Sequence, residues 1–208
     1  IFEERADEQD EQADSSAGSN EEHAGNYTSV RLNSGLAWKK MQDRIERKYV
    51  QGPVSKQQLQ EKFKRLGTGR LAAILEDPET EKLLIIYHPE AQNEATKLRH
   101  KCRYASAKDA RAIMSRENAG DLRMVKIDVK DAHHVIKQRS EDAGVFAFEW
   151  DQPVGEKGWY WWSRLPFGGR STSAWWDRLG ALIVRINVAL LSWTTSPSWV
   201  LRIADDFL

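Results

Sequence analysis

The chain of 208 residues carries 31 basic and 31 acidic side chains, so its formal net charge is zero and bulk charge selects no class of partner. Its single cysteine, Cys102, excludes an internal disulfide and with it the disulfide-stapled secreted scaffolds. The length fits one domain of ordinary size, or one domain with tails.

The average hides an asymmetry at the N-terminus. Ile1–Asn26 holds nine acids (Glu3, Glu4, Asp7, Glu8, Asp10, Glu11, Asp14, Glu21, Glu22) against one base, Arg5. Taking these from the totals leaves 22 acids and 30 bases, a net of +8 for the remainder. This stretch has too little apolar surface to fold alone, and residues 1–34 are expected to form an acidic disordered tail. An acidic start is unlike a secretory signal peptide. The run ALIVRINVALLSW (181–193) is too short for a membrane span and carries Arg185 and Asn187. An intracellular protein, cytoplasmic or nuclear, with no membrane partner is therefore expected. The start at Ile1 is expected of a piece of a longer product.

Gly35 to Tyr49 reads as a basic helix, broken by Gly52-Pro53. A cleaner helix follows Ser55: Ser55 and Gln58 make a capping box, Leu59, Phe63 and Leu66 form one apolar stripe, and Gly67 marks the stop. LLIIY (83–87) is a short buried strand ended by Pro89. Lys97–Arg116 holds seven bases and one acid, and within it Ser106 and Asp109 open a second capped helix with Ala110, Ile113 and Met114 on one side. The pattern then turns to strands. MVKIDV (124–129) ends in acids, and VFAFEW (145–150) and GWYWWSRL (158–165) flank a hairpin loop, DQPVGEKG. Pro166 and Gly168-Gly169 close that second strand. STSAWWDRLGALIVRINVALLSW (171–193) is a long helix, and WVLRIA (199–204) is a strand running into Asp205-Asp206. The expected fold class is α+β. Eight of the nine tryptophans lie between Trp150 and Trp199, and Trp175, Trp176 and Trp193 are expected to pack the long helix on the sheet.

Two strands in this reading end in carboxylates, one at Asp128 and Asp131, the other at Asp205 and Asp206. Carboxylates in an apolar run need a cation, either an Arg or Lys or a metal, because desolvating an unpaired charge costs more than neighbouring burial returns. Strand ends lying side by side would bring Asp128 and Asp205 together, where like charges raise each other's pKa unless a divalent cation sits between them. Two magnesium ions held by carboxylates are a standard device for phosphoryl transfer. MVKIDV and WVLRIA are accordingly expected as neighbouring antiparallel strands, backed by helices 106–117 and 171–193. The competing account is a salt bridge to Arg202 or Lys126: Arg202 is expected to point away from Asp205, whereas Lys126 shares a face with Asp128 and stands as an alternative neutralising partner without metal. Asp131 is expected to be solvated or paired with an Arg. His133-His134 has no third ligand spaced for zinc.

VKIDVKDAHH, then WYWWSRLPFGGRSTSAWWDRL, then RIADDFL resemble motifs A, B and C of reverse transcriptases from retrotransposon polyproteins, over roughly residues 105–208. The resemblance implies the fingers-and-palm part of a polymerase right hand, with an antiparallel palm sheet backed by helices. Residues 35–104 would be the basic, helical, fingers-like region and 105–208 the palm. As the chain stops two residues after the acids, the returning strand of the motif C hairpin, the primer grip and the thumb are expected to be absent. The implied activity is RNA-directed DNA polymerisation, with an RNA template, a DNA primer and deoxynucleoside triphosphates as partners and two Mg2+ (or Mn2+) ions as cofactors. By position, Asp128 and Asp205 would be the catalytic acids that share metal, Asp206 a secondary contributor, and Val129 a metal ligand through its backbone carbonyl. His133 stands where the family places an aromatic beneath the incoming sugar, and Leu165, Pro166, Phe167 and Gly168 would floor the nucleotide and template base. This sequence has His133 in place of the family's Tyr or Phe and Ile203 in place of the aromatic of the YxDD block. LLIIYHPE lacks the Lys-x-Arg pair that grips triphosphate. Two other readings stand beside the enzyme: a non-catalytic relic that binds nucleic acid through its basic stretches in a salt-dependent way, and an assembly subunit packing through its tryptophan-rich half.

Overall fold

The computed structural model describes residues 25–98, 104–115, 125–151, 157–194, 198–203 and 206–207. The acidic residues of the tail, the 152–156 loop, Cys102 and Asp205 lie outside this set. In chain order the elements are α1 (Thr28–Leu32), α2 (Ser34–Glu46), β1 (Val50–Val54), α3 (Lys56–Lys62), β2 (Arg70–Asp77), β3 (Lys82–His88), α4 (Glu90–Ala95) and α5 (Ala107–Met114), followed by β4 (Ile127–Asp128). Two 3₁₀ turns (Ala132–Val135 and Ala143–Phe146) precede β5 (Ala147–Asp151), β6 (Lys157–Trp162), α6 (Arg170–Leu191), β7 (Arg202–Ile203) and β8 (Asp206–Phe207). The expected α+β mixture with antiparallel sheets is what the chain adopts.

The central sheet has the order β1-β6-β5. VFAFEW and WYWW alternate, and the alternation places large side chains on both faces. Phe148, Trp150, Tyr160 and Trp162 point into the main core with Leu71, Leu83, Tyr87, Val50 and Met41. Ala147 and Trp161 point the other way, against Leu59 and Phe63 of the α3 segment. The Asp151↔Lys157 pairing closes the expected β5–β6 hairpin. Tyr87 ties the β2–β3 hairpin to this sheet by donating its buried hydroxyl to the Ala147 carbonyl at 3.0 Å.

Several elements depart from the sequence reading. The helix expected to run to Gly52-Pro53 already ends at Glu46, and the pair sits inside β1, an edge strand, where a proline removes no ladder bond that the sheet needs. Gly52 has φ 126°, and a Cβ there would lie 2.7 Å from the Trp159 carbonyl oxygen, so the close strand approach requires glycine. Both capping boxes are present, at Ser55/Gln58 and Ser106/Asp109. α3 nonetheless ends at Lys62, with Phe63 already extended, and Leu66 is left exposed. Two elements went unread: β2, the partner of β3, and α4, which starts directly after Pro89. Residues 28–32, counted with the tail, form α1, and Ser29 and Asn26 bond the β2 backbone. α5 buries none of its residues, so of the two expected backing helices α6 is the one seated on the acid-bearing sheet, through Trp176, Leu179, Ile183 and Val184. Trp176 packs as expected, but Trp175 and Trp193 are exposed, since they lie on the outer face and beyond the end of α6. Among the described residues no helix is long and apolar enough to cross a membrane.

Candidate functional site

The acids lie on the smallest sheet, of order β4-β8-β7. MVKIDV and WVLRIA share this sheet as expected, but they are not neighbours. β8 runs between them, antiparallel to both, so β4 and β7 point the same way. The returning strand expected to be missing is therefore begun by Asp206–Phe207. Its register places Asp128 opposite Asp206 and Ile127 opposite Phe207. Residues directly opposite in an antiparallel pair share a face, with Cβ atoms about 4.5–5.5 Å apart. Asp128 and Asp206 are thus adjacent carboxylates on one side of the sheet, while Phe207 is buried on the other with Ala132 and Trp176. Asp205, the expected partner of Asp128, lies outside the described residues.

Asp128 is exposed, and Asp206 is half-buried. Lys126 Nζ sits 2.9 Å from Asp206 Oδ2, so this lysine pairs with Asp206, the acid opposite Asp128. The long lysine stem reaches diagonally across the ladder, a contact that same-strand spacing does not reveal. Arg202 turns toward α6 and meets Asp177; its expected orientation relative to Asp205 lies outside the described residues. Among the described residues no group of three or more His, Cys, Asp or Glu side chains is poised around one metal. Asp128 and Asp206 supply two adjacent sets of carboxylate oxygens, the donor type that hard divalent cations take.

Directly after β4 the chain makes a sharp turn. Asp131 adopts a left-handed conformation, φ 56°, and its carbonyl accepts from the His134 N–H at 2.7 Å. A non-glycine residue persists there only when its surroundings hold it. The holders are two arginines of the α2 segment: Arg44 donates to Asp131 Oδ1 at 2.7 Å and Arg47 to Oδ2 at 3.2 Å. Burial works against ionisation of Asp131, but the hydrogen bond and charge of Arg44 outweigh it and hold the carboxyl below its ordinary pKa. The expectation of an Arg-paired acid holds. The turn also orients two histidines oppositely. His134 is buried, stacks on Trp162 at 5.0 Å and 6°, and shares a 2.9 Å hydrogen bond with the Leu165 carbonyl. Burial, aided by the nearby Arg44 charge, pushes its pKa down to about 4. His133 lies edge-on to Phe167, centroids 5.2 Å apart, and to Trp176 at 6.4 Å.

His133 and Phe167, two expected substrate-facing residues from distant segments, are therefore in contact. The Leu165–Gly168 turn is fastened from three sides. Leu165 N–H donates to the Ile136 carbonyl at 3.0 Å, and Leu165 and Pro166 are buried. The Phe167 carbonyl accepts from Tyr87 N–H at 2.9 Å. Gly168 has φ 113°, and a Cβ there would overlap the Tyr87 carbonyl oxygen. Asn93 of α4 completes the clasp, donating to the Gly168 carbonyl at 3.1 Å and accepting from Arg170 N–H at 2.6 Å. Asn93, Arg44 and Arg47 were all missed from sequence. The helix carrying Asn93 had a signal, Pro89 followed by Glu90 in the first turn. The arginines had none, because their partner is far along the chain.

No family model matches the chain, and no curated protein matches it. Among solved structures the chain is similar to a prototype foamy virus protease-reverse transcriptase (a selenomethionine-labelled CSH mutant), with a TM-score of 0.53 and 15% identity. That likeness covers 88% of this chain and 20% of that one, so the chain spans a fifth of the length of the protein it resembles. At this identity the likeness speaks for architecture alone: the chain has a reverse-transcriptase-like fold.

Proposed function

We propose that the chain is the fingers-and-palm part of a retroelement reverse transcriptase, extending a DNA primer on an RNA template. The observation that carries this reading is the placement of Asp128 opposite Asp206 on one face of a short ladder, within a reverse-transcriptase-like fold. In this proposal Asp128 and Asp206, with Asp205 and the Val129 carbonyl, hold divalent cations. When bound, two such ions would activate the primer hydroxyl and stabilise the departing diphosphate. The protein's own residues position the rest. The Asp131 turn sets the distance from Asp128 to His133, and His133 with Phe167 forms the aromatic wall offered to the incoming sugar and base. The fastened Leu165–Gly168 turn keeps that wall rigid.

A second reading, a polymerase-like fold that binds nucleic acid without catalysis, draws on the Lys126–Asp206 bridge, which occupies one acid with a lysine. Template-dependent primer extension in Mg2+ or Mn2+, by this chain and by a version extended with a thumb, separates the two. The enzyme reading expects extension that Asp128→Asn abolishes. Extension indifferent to Asp128→Asn would sink it, and salt-sensitive binding without extension in either protein favours the second reading.

A further inference from the structure

Among the described residues, β4, β8 and β7 each bring two residues to the sheet that sets Asp128 beside Asp206, so few described ladder hydrogen bonds set its register. We propose that Arg202, Asp177 and Tyr104 form a positioning lock that fixes Asp206 opposite Asp128. The acid chemistry it serves rests on the function proposed above; the lock itself is read from geometry.

Arg202 opens β7, the strand that pairs with β8. Its guanidinium donates to Asp177 Oδ1 at 2.7 Å and to the Asp177 carbonyl at 3.1 Å. Tyr104 donates its hydroxyl to the same carboxylate oxygen at 2.5 Å, and the Arg202 carbonyl accepts from Ala105 N–H at 3.1 Å. The guanidinium lies 5.2 Å from the Tyr104 ring and 5.7 Å from the Trp176 ring. Both charged side chains are nearly inaccessible, at 10% and 9% exposure. α6 makes room for the guanidinium at Gly180, where a Cβ would collide with it. The knot therefore grips β7 from α6 and from the segment before α5 at once.

A buried ion pair contributes little net stability, because desolvation offsets its attraction, but its fork geometry is directional. Direction is what so few described ladder bonds lack. The lock touches neither acid and acts on them only through the β7–β8–β4 pairing.

Stability and position separate in the double variant Arg202→Met/Asp177→Leu. Such an apolar exchange is expected to leave the melting temperature unchanged or higher. The amides of 127–128 and 206–207 are expected to exchange about tenfold faster than in the parent, with central-sheet amides unaffected. Mn2+ affinity, read by the resonance of free Mn2+, is expected to fall about tenfold. Unchanged exchange at these four residues overturns the lock. If the double variant does not fold, Arg202→Lys, which keeps the charge but loses the fork, is judged by the same readings. Asp128→Asn in the parent isolates the underlying function. If it leaves Mn2+ binding intact, the metal-site reading fails while the exchange result still judges the lock. If it abolishes binding and the double variant matches the parent in both readings, the lock fails and the function stands.

Discussion

The two three-stranded sheets of this chain are held by opposite means. In β1-β6-β5 the strands are five or six residues long and both faces are covered, so the ladder and the aromatic packing of Phe148, Trp150, Tyr160 and Trp162 reinforce each other. In β4-β8-β7 two residues of each strand are described, and one face carries Asp128 and Asp206. An ionised carboxylate packed under apolar side chains loses its hydration without return, so the face that carries Asp128 and Asp206 is left open. That sheet is accordingly braced from its margins, by Phe207 against Trp176 beneath and by ion pairs around it: Arg44 and Arg47 on Asp131, Lys126 on Asp206, Arg202 on Asp177. Burial stabilises the first sheet; charge geometry shapes the second.

The largest loss of stability is expected in the aromatic sheet. Trp162→Ala removes a side chain that is 2% exposed and the stacking partner of His134. A loss of about 3–5 kcal/mol is expected, read as a drop in the urea midpoint with the slope unchanged. A loss below about 1 kcal/mol would mean that the core can collapse around the gap.

The next effect joins the two sheets through His134. Its pKa is lowered from 6.5 to about 4 by burial, so between those values the unfolded chain binds a proton that the folded chain refuses. Stability should therefore be full above pH 6.5 and decline as the pH falls toward 4, by on the order of 3 kcal/mol. Asp131, also lowered, contributes stability that is fully present above its unfolded range and is lost only as the pH falls below it, so it does not shape this window. His134→Phe keeps a ring on Trp162 and should flatten the decline. A chain as stable at pH 4.5 as at pH 7 would refute the neutral, buried histidine.

Gly168→Ala tests the Leu165–Gly168 turn. The strained φ and the overlap with the Tyr87 carbonyl should cost about 1–3 kcal/mol. The displaced Phe167 should loosen its contact with His133, seen as a chemical-shift change at the His133 ring. An unshifted ring would argue that the turn relaxes elsewhere.

The smallest change in stability is expected at the acids themselves. Lys126→Ala breaks a largely exposed bridge and should cost no more than about 0.5 kcal/mol. Asp128→Asn relieves its repulsion with Asp206 and should raise the melting temperature slightly in the absence of metal. A large fall on Asp128→Asn would show that the carboxylate is a structural partner and not a held-open ligand.

Local patterns determined a good deal of this protein. Both capping boxes, the β5–β6 hairpin, the long α6 and the acids at two strand ends are written in windows of a few residues, because capping, alternation and helical periodicity are short-range constraints. Asp128 at the end of β4 and the Leu165–Gly168 turn after β6 were placed by the same short-range patterns. What the windows lacked is whatever a distant residue decides. Pro53 reads as a break until β6 pairs beside it, and RLAAILED reads as nothing in particular until β3 folds back on it. Asn93 becomes a clasp only when α4 meets the start of α6, and the left-handed Asp131 finds its partners in Arg44 of α2 and in Arg47 just past that helix. Register is the sharpest case. A strand repeats every two residues, so one step of slip exchanges the face that each acid presents, and nothing in RIADDFL says which step is taken. The ladder with β4, aligned by contacts far along the chain, is what set Asp206 across from Asp128.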